Sequence, residues 1–389
     1  MTASPILAVA QDPGGAEALV PVLSALIADE GSHVCIIGQA HAVDVFAAED
    51  LPFVRFDDLG KGGRDAQEIA DRILLDNPPR LVLTATSFGV SPERYFIRAA
   101  KHLGVPCLTV LDSWTNYTRR FLKEGETELV PAVLPDVCTV MDEFAATEME
   151  RAGFPRSVLR VVGQPALDRF TAVARATPQA ARTGLCHDLG IPETDPIIVY
   201  FSQPVLALYG RADSATFRGY TEFDVLSVLV EAISLCGTRA TLVVKTHPKE
   251  RLGKYDDLLD QTLIRSQLVH QFDSDRIVLG ADVAVGMTSI ALMKAFLIGR
   301  RVISVQPNLI GEDECVLGRA GYIKPVTDGR LLVPALGAAL ERDGRDVHLS
   351  MLPNTLTDGL AVQRIMSVIR ELVDHQPRER TLKDQAQQA

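Results

Sequence analysis

The segment Asp282–Val305, DVAVGMTSIALMKAFLIGRRVISV, decides how the chain is read. Its pattern predicts a short buried strand over Asp282–Val285, a turn at Gly286, a helix opening at Thr288–Ser289 and a second strand at Arg301–Val305. Ile290, Met293, Phe296 and Leu297 repeat at helical spacing and define one apolar face. Thr288 and Ser289 put hydroxyls at the opening turn, where backbone N–H groups lack intrahelical acceptors. Taken alone, this is a βαβ unit with an ordinary N-cap. A strand end, a glycine and a hydroxyl-capped helix start also make an anion site, because N–H donors and the positive end of the helix dipole converge there.

Working outward, the same alternation fills the chain. In the first half, strands are expected at Ile6–Ala10, Val34–Ile37, Phe53–Phe56, Leu81–Thr84, Cys107–Leu111, Thr139–Met141 and Arg160–Val162. Helices are expected between them, at His41–Ala48, Asp65–Leu75, Pro92–Leu103 and Glu143–Ala152, with Lys61–Gly63 a loop. Gly163–Pro165 and the alanine-rich stretch Ala172–Ala181 mark a join. The alternation restarts at Ile197–Phe201, followed by a helix at Phe223–Leu235, a strand at Ala240–Lys245 and a helix at Tyr255–Ser266. The strands of the opening segment come next, then helices at Leu331–Arg342 and Ala361–Val373, and a polar tail after His375. Strands alternating with helices of this length predict an α/β fold of two doubly wound Rossmann-type domains facing across a cleft. The expected domains are 1–165, 178–360 and a C-terminal helix and tail at 361–389, the helix packing back on the first domain. Ligands of such sheets sit beyond the carboxyl ends of the strands.

At 389 residues the chain can bury two full cores, and its net charge of −11 speaks against an extended nucleic-acid surface. No apolar run is long enough to span a bilayer, and the first residues have no basic region of the kind a signal peptide carries. The six cysteines form no CxxC pair, which points to free thiols in a reducing compartment. No His/Cys spacing suggests a metal, and no DxD-type carboxylate pair stands at a strand end.

The residues that follow predicted strands carry the candidate chemistry. Lys245-Thr246-His247-Pro248 leaves a strand that Pro248 ends, and His247 can donate to a phosphate. Ser202-Gln203-Pro204 offers a hydroxyl and an amide. Asp12-Pro13-Gly14-Gly15 combines a carboxylate with glycines that permit close backbone approach, and Asp12 or Glu17 could serve as a general base. This is not GxGxxG, so the nicotinamide dinucleotide fingerprint is absent. Asp112-Ser113-Trp114-Thr115-Asn116-Tyr117, with Arg119 beyond it, has the aromatic and polar groups a sugar needs, and equally those of a loop packed over its domain. Asp112 is a further candidate base.

Together these residues resemble the GT-B superfamily of glycosyltransferases and related sugar-nucleotide enzymes. Val244–Pro248 resembles the His-Pro motif of bacterial polysialyltransferases and CDP-glycerol glycerophosphotransferases. Gly286-Met287-Thr288-Ser289 is similar to the turn those families place under the donor phosphates. Val162–Asp168 resembles the join between domains in UDP-sugar 2-epimerases. The resemblance implies a nucleotide-sugar donor (CMP-, CDP- or UDP-linked) held by Ser202, Gln203, Lys245, Thr246, His247, Gly286, Thr288 and Ser289. It implies an acceptor, a glycan or lipid-linked hydroxyl, near Gly14, Gly15, Trp114, Asn116, Tyr117 and Arg119, with Asp12, Glu17, Asp112 and His247 as catalytic groups and no cofactor or metal required. Two positions depart from the family pattern: Lys294 stands where many members carry a ribose-binding Glu, and Gln306–Gly311 replaces the epimerases' Arg-Gln loop. The implied activity is an inverting, metal-independent glycosyltransferase in surface-glycan synthesis, cytoplasmic and at most in peripheral contact with the inner face of a membrane. A UDP-sugar 2-epimerase, a CDP-alcohol phosphotransferase and a non-catalytic sugar-nucleotide-binding module stay open as alternatives, and so does the oligomeric state.

Overall fold

The computed structural model describes residues 4–29, 32–60, 65–123, 125–176, 178–247, 250–341 and 349–374. The expected loop Lys61–Gly63, the strand-ending Pro248 and the tail after His375 lie outside the described residues.

The chain forms two compact units. One comprises Met1–Arg169 and Asn354–Ala389, the other Phe170–Pro353. The first holds seven strands: β1 Ile6–Ala10, β2 Val34–Gly38, β3 Val54–Arg55, β4 Leu81–Thr84, β5 Cys107–Val110, β6 Val137–Val140 and β7 Leu159–Val161. They form one parallel sheet in the order β3-β2-β1-β4-β5-β6-β7. The second holds β8 Ile197–Phe201, β9 Thr241–Lys245, β10 Ser266–Val269, β11 Val283–Gly286 and β12 Arg301–Ser304, parallel in the order β10-β9-β8-β11-β12. Both are doubly wound: successive strands run one way from the first strand, then the chain crosses back to its other side. Strands covered on both faces read as unbroken apolar runs, and β1, β4, β5, β8, β9 and β11 are buried at every residue.

Each unit has its own core. In the first, Ile6, Leu83 and Leu108 pack with Leu19 and Leu23 of helix Pro13–Ala28 and with Ile365 and Ile369 of the C-terminal helix Ala361–Asp374. Asp168 Oδ2 accepts the Ala361 N–H at 2.7 Å and fixes where that helix begins. Gly163 lies at φ +98°, and a Cβ there would come within 2.3 Å of the Thr355 carbonyl oxygen, so only glycine fits this crossing. In the second, Ile198, Tyr200, Val244 and Val285 pack with Leu226 and Leu229 of helix Glu222–Cys236.

One expectation is corrected. The helix over Tyr255–Ser266 shrinks to Asp256–Leu259, because Thr262 donates both its N–H and its hydroxyl to the Leu259 carbonyl and stops the turn. Leu263 is fully exposed, and Ser266–Val269 is instead the outer strand β10. The chain passes from one unit to the other at Arg169/Phe170, beside the expected join, and the alanine-rich stretch there is helical where it is described, in helices Pro165–Ala176 and Pro178–Leu189.

Candidate functional site

In the second unit, β8 lies between β9 and β11, so the residues that follow these three strands share one end of the sheet. The point between β8 and β11, where the winding reverses, is where parallel sheets open a crevice. A cavity of about 110 Å³ lies at this end, lined by residues that include Ser202, Lys245, His247, Asp275, Ser289 and Lys294.

The helix Ile290–Leu297 opens at Ser289, whose Oγ accepts the Ala291 N–H at 3.2 Å. Gln203 bridges the loops after β8 and β11: its Oε1 accepts the Thr288 N–H at 2.9 Å, and its Nε2 donates to Thr288 Oγ1 at 3.0 Å. Lys245 is 6% exposed and donates to the carbonyls of His270 (2.7 Å) and Thr246 (3.0 Å). Burial pushes its pKa down, while the carboxylates of Asp273 and Glu250 pull the other way. Lys294 donates to both oxygens of Asp275, at 2.7 and 3.0 Å. The half-buried His247 is held by its backbone, whose N–H donates to Glu250 Oε2 at 2.7 Å. The cavity thus gathers two ammonium groups, one of them paired with the single carboxylate, an imidazole and a helix N-terminus, a set suited to an anion.

The structure divides the donor-side candidates. Lys245, Thr246, His247 and Ser289 line the cavity. Ser202 also touches it, but its hydroxyl is turned inward onto Glu250 Oε1 (2.9 Å) and Tyr255 Oη (2.5 Å), within a buried cluster that includes Lys254 and Glu222. Thr288 and Gln203 satisfy each other. Gly286 is the last residue of β11, and a Cβ there would press within 3.3 Å of the Phe201 carbonyl oxygen, so it serves close strand packing. Lys294 and Asp275, absent from the sequence-derived set, belong to the cavity. Asp273-Ser274-Asp275 was readable as a helix start, and the Asp273 side chain does accept the Asp275 N–H.

In the first unit, the loops after β1, β4 and β5 meet at the carboxyl end of that sheet. Asp12 does not cap its helix; its Oδ2 accepts the Phe88 N–H at 2.8 Å. The Asp12 N–H donates to Ser87 Oγ, and Ser87 donates to Glu93 Oε1, which also accepts the Gln11 N–H. Glu93 is buried, and burial raises its pKa. Asp112 Oδ1 accepts from Thr86 Oγ1 (2.5 Å) and Arg120 Nη1 (2.6 Å). A Cβ at Gly14 would lie 2.8 Å from Asp112 Oδ2, and one at Gly15 2.8 Å from the Thr86 carbonyl oxygen, so both glycines make room for this loop cluster. Thr86, Ser87 and Glu93 were not in the sequence-derived set; their separation of 75 or more residues from the β1 loop, or of 26 from Asp112, hid them, whereas Arg120 follows Arg119 in the same basic segment.

The aromatic loop is corrected. Trp114 is 2% exposed and its indole N–H donates to Asp142 Oδ2 at 3.0 Å, leaving no ring face for a sugar. Tyr117 is buried with its hydroxyl on Glu148. These rings pack the loop over its domain. Asn116, at φ +58°, and the Arg119 and Glu17 side chains are exposed.

No family model matches the chain, and no curated protein matches it. Solved structures do. The UDP-GlcNAc 2-epimerase of Neisseria meningitidis, solved with UDP-GlcNAc, is 15% identical, with 94% of this chain and 100% of that chain covered and a TM-score of 0.66. A glycosyltransferase of Rickettsia africae is 13% identical over 97% and 100% of the two chains, with a TM-score of 0.63. Anabaena HepE, in complex with UDP and glucose, is 13% identical over 95% and 96%, with a TM-score of 0.52.

The fold is GT-B-like.

At these identities the likeness speaks for architecture alone. The two parallel sheets are two Rossmann-type units of a GT-B-like fold. Among the described residues, no cluster of three His, Cys, Asp or Glu side chains is arranged to hold a metal ion, and no helix is long and apolar enough to cross a membrane.

Proposed function

We propose that the chain is an enzyme that takes a sugar from a nucleotide-sugar donor to a hydroxyl acceptor: an inverting, metal-independent glycosyltransferase. The convergence of Lys245, Lys294, His247 and the Ser289-capped helix start on one cavity carries this reading. A nucleoside phosphate fits that charge, and the names of solved structures with the same fold speak of UDP, UDP-GlcNAc and glycosyl transfer. In the reaction, the acceptor oxygen bonds to the anomeric carbon as the bond from that carbon to the phosphate oxygen breaks. The nucleoside phosphate leaves with the bonding pair. His247 and the helix N-terminus stabilise the charge on the leaving phosphate, where preorganised donors act most strongly. The acceptor is proposed to lie with the first unit, its proton passing to Asp12 or Asp112. A glycan or lipid-linked hydroxyl met in the cytoplasm is the proposed acceptor.

A UDP-sugar 2-epimerase is the second reading, favoured by the epimerases among the structural neighbours. One experiment separates the two. The purified protein is screened by thermal shift against CMP, CDP, UDP, GDP and dTDP, with His247→Ala in parallel; a ligand that binds only the folded state raises the melting temperature. One nucleotide is expected to give a shift that His247→Ala removes. The matching nucleotide sugar is then incubated with and without acceptor. Transfer that needs an acceptor and is lost in Asp12→Asn or Asp112→Asn, with the nucleotide shift retained, supports the transferase. Epimer or free sugar formed without acceptor supports the epimerase. No shift with any nucleotide overturns both.

A further inference from the structure

We propose that the second unit carries a separate anion pocket on the flank of its sheet, at the outer strand β12, shaped for a phosphomonoester with an apolar body. A cavity of about 350 Å³ lies there, its wall including Phe296, Arg301, Ile303, Tyr322, Lys324 and Val326. Its size falls within the roughly 300–1,000 Å³ of small-molecule pockets. A neighbouring cavity of about 260 Å³ shares Arg301.

Arg301 is the decisive residue. Its Nε and Nη2 are buried, yet neither has a hydrogen-bond partner. Buried donors without acceptors are costly, and most find one. The two other arginines that line these cavities show the contrast: Arg182 gives its guanidinium to Asp282 Oδ2 (2.7 Å), the Gly280 carbonyl (3.1 Å) and the Asp195 carbonyl (2.7 Å), and Arg300 Nη2 donates to the Leu279 carbonyl (2.5 Å). Arg182 ties the unit together, whereas Arg301 presents two donors with nothing to receive them. A guanidinium edge of two N–H groups matches two oxygens of a phosphate. Lys324, exposed on the same wall, adds a second positive charge, which favours a dianion over a carboxylate. The rings of Phe296 and Tyr322, 5.8 Å apart and inclined at 30°, supply an apolar surface for the body of the ligand, continued by Val326 and Ala335.

This pocket is distinct from the cavity beyond the strand carboxyl ends and does not rest on the nucleotide reading. Arg301 opens β12, at the opposite end of the sheet. The two cavities share only the helix Ile290–Leu297, which lends Ile290 and Lys294 to one and Phe296 to the other.

Calorimetric titration of the full chain with phenyl phosphate tests the assignment, with inorganic phosphate and phenol as comparators. Phenyl phosphate is expected to bind better than either comparator. Arg301→Ala and Lys324→Ala are each expected to weaken it by about tenfold, the loss of one charge-assisted contact, and His247→Ala to leave it unchanged. Lys324 is exposed, so its variant reads the site even if Arg301→Ala is poorly folded. Three results overturn the proposal: no binding; binding lost in His247→Ala and retained in Lys324→Ala; or inorganic phosphate binding as tightly as phenyl phosphate.

Discussion

Glu93 is a carboxylic acid in the wall of the candidate site that no motif announces. Its Oε1 takes two hydrogen bonds from Gln11 and Ser87, and its Oε2 is buried with no partner. Burial raises its pKa above the usual value near 4.5, so the folded protein keeps this proton to higher pH than the unfolded chain does. The stability it contributes is therefore full below about pH 4.5 and is lost as pH rises through the folded pKa. Glu93→Gln has no proton to lose. Urea midpoints followed across that window are expected to fall with pH for the natural protein and to stay level relative to it in the variant; parallel profiles would refute a buried neutral acid. At this scale the residue types were legible, because a strand end followed by Asp-Pro-Gly-Gly or Lys-Thr-His-Pro is visible in a linear text. The pairings were not. Trp114 is as easily read as a sugar platform as a core residue until Asp142, 28 positions away, takes its N–H.

Among elements, two capped helices of the second unit allow stability and binding to be separated. Thr221 and Asp224 form a capping box at the start of helix Glu222–Cys236, with the Thr221 N–H on Asp224 Oδ2 at 2.7 Å. Ser289 caps the helix Ile290–Leu297 and lines the cavity. Thr221→Ala and Ser289→Ala are each expected to cost about 1 kcal/mol of stability, the usual loss of a hydroxyl cap. Only Ser289→Ala is expected to weaken the nucleotide-induced thermal shift as well. Equal shifts in both variants would remove that helix start from the site. Buried strands and long amphipathic helices were readable because their apolar periods are strong. β10 was not: Ser-Gln-Leu-Val is an outer strand with only Val269 buried, and its pattern carries little hydrophobic signal.

For the whole molecule, the C-terminal helix Ala361–Asp374 completes the first unit's core after the chain has built the second. Ile365, fully buried in that core, is the residue on which this return depends. Ile365→Ala is expected to destabilise the first unit by about 2–5 kcal/mol, measured by denaturant unfolding, the usual range for a large-to-small change in a packed core. An effect below 1 kcal/mol would mean that the helix is not part of that core. The sequence by itself determined the α/β class, the two successive runs of alternation and the polar segments that end the strands. Apolar period and turn chemistry act between near neighbours, so they are written locally. Only the tertiary structure decided the strand order, the inward turn of Ser202, the convergence of Lys245 and Lys294 on one cavity and the burial of Trp114. Each depends on which distant segments fill the space beside a side chain, and close packing settles that only when the whole core is assembled.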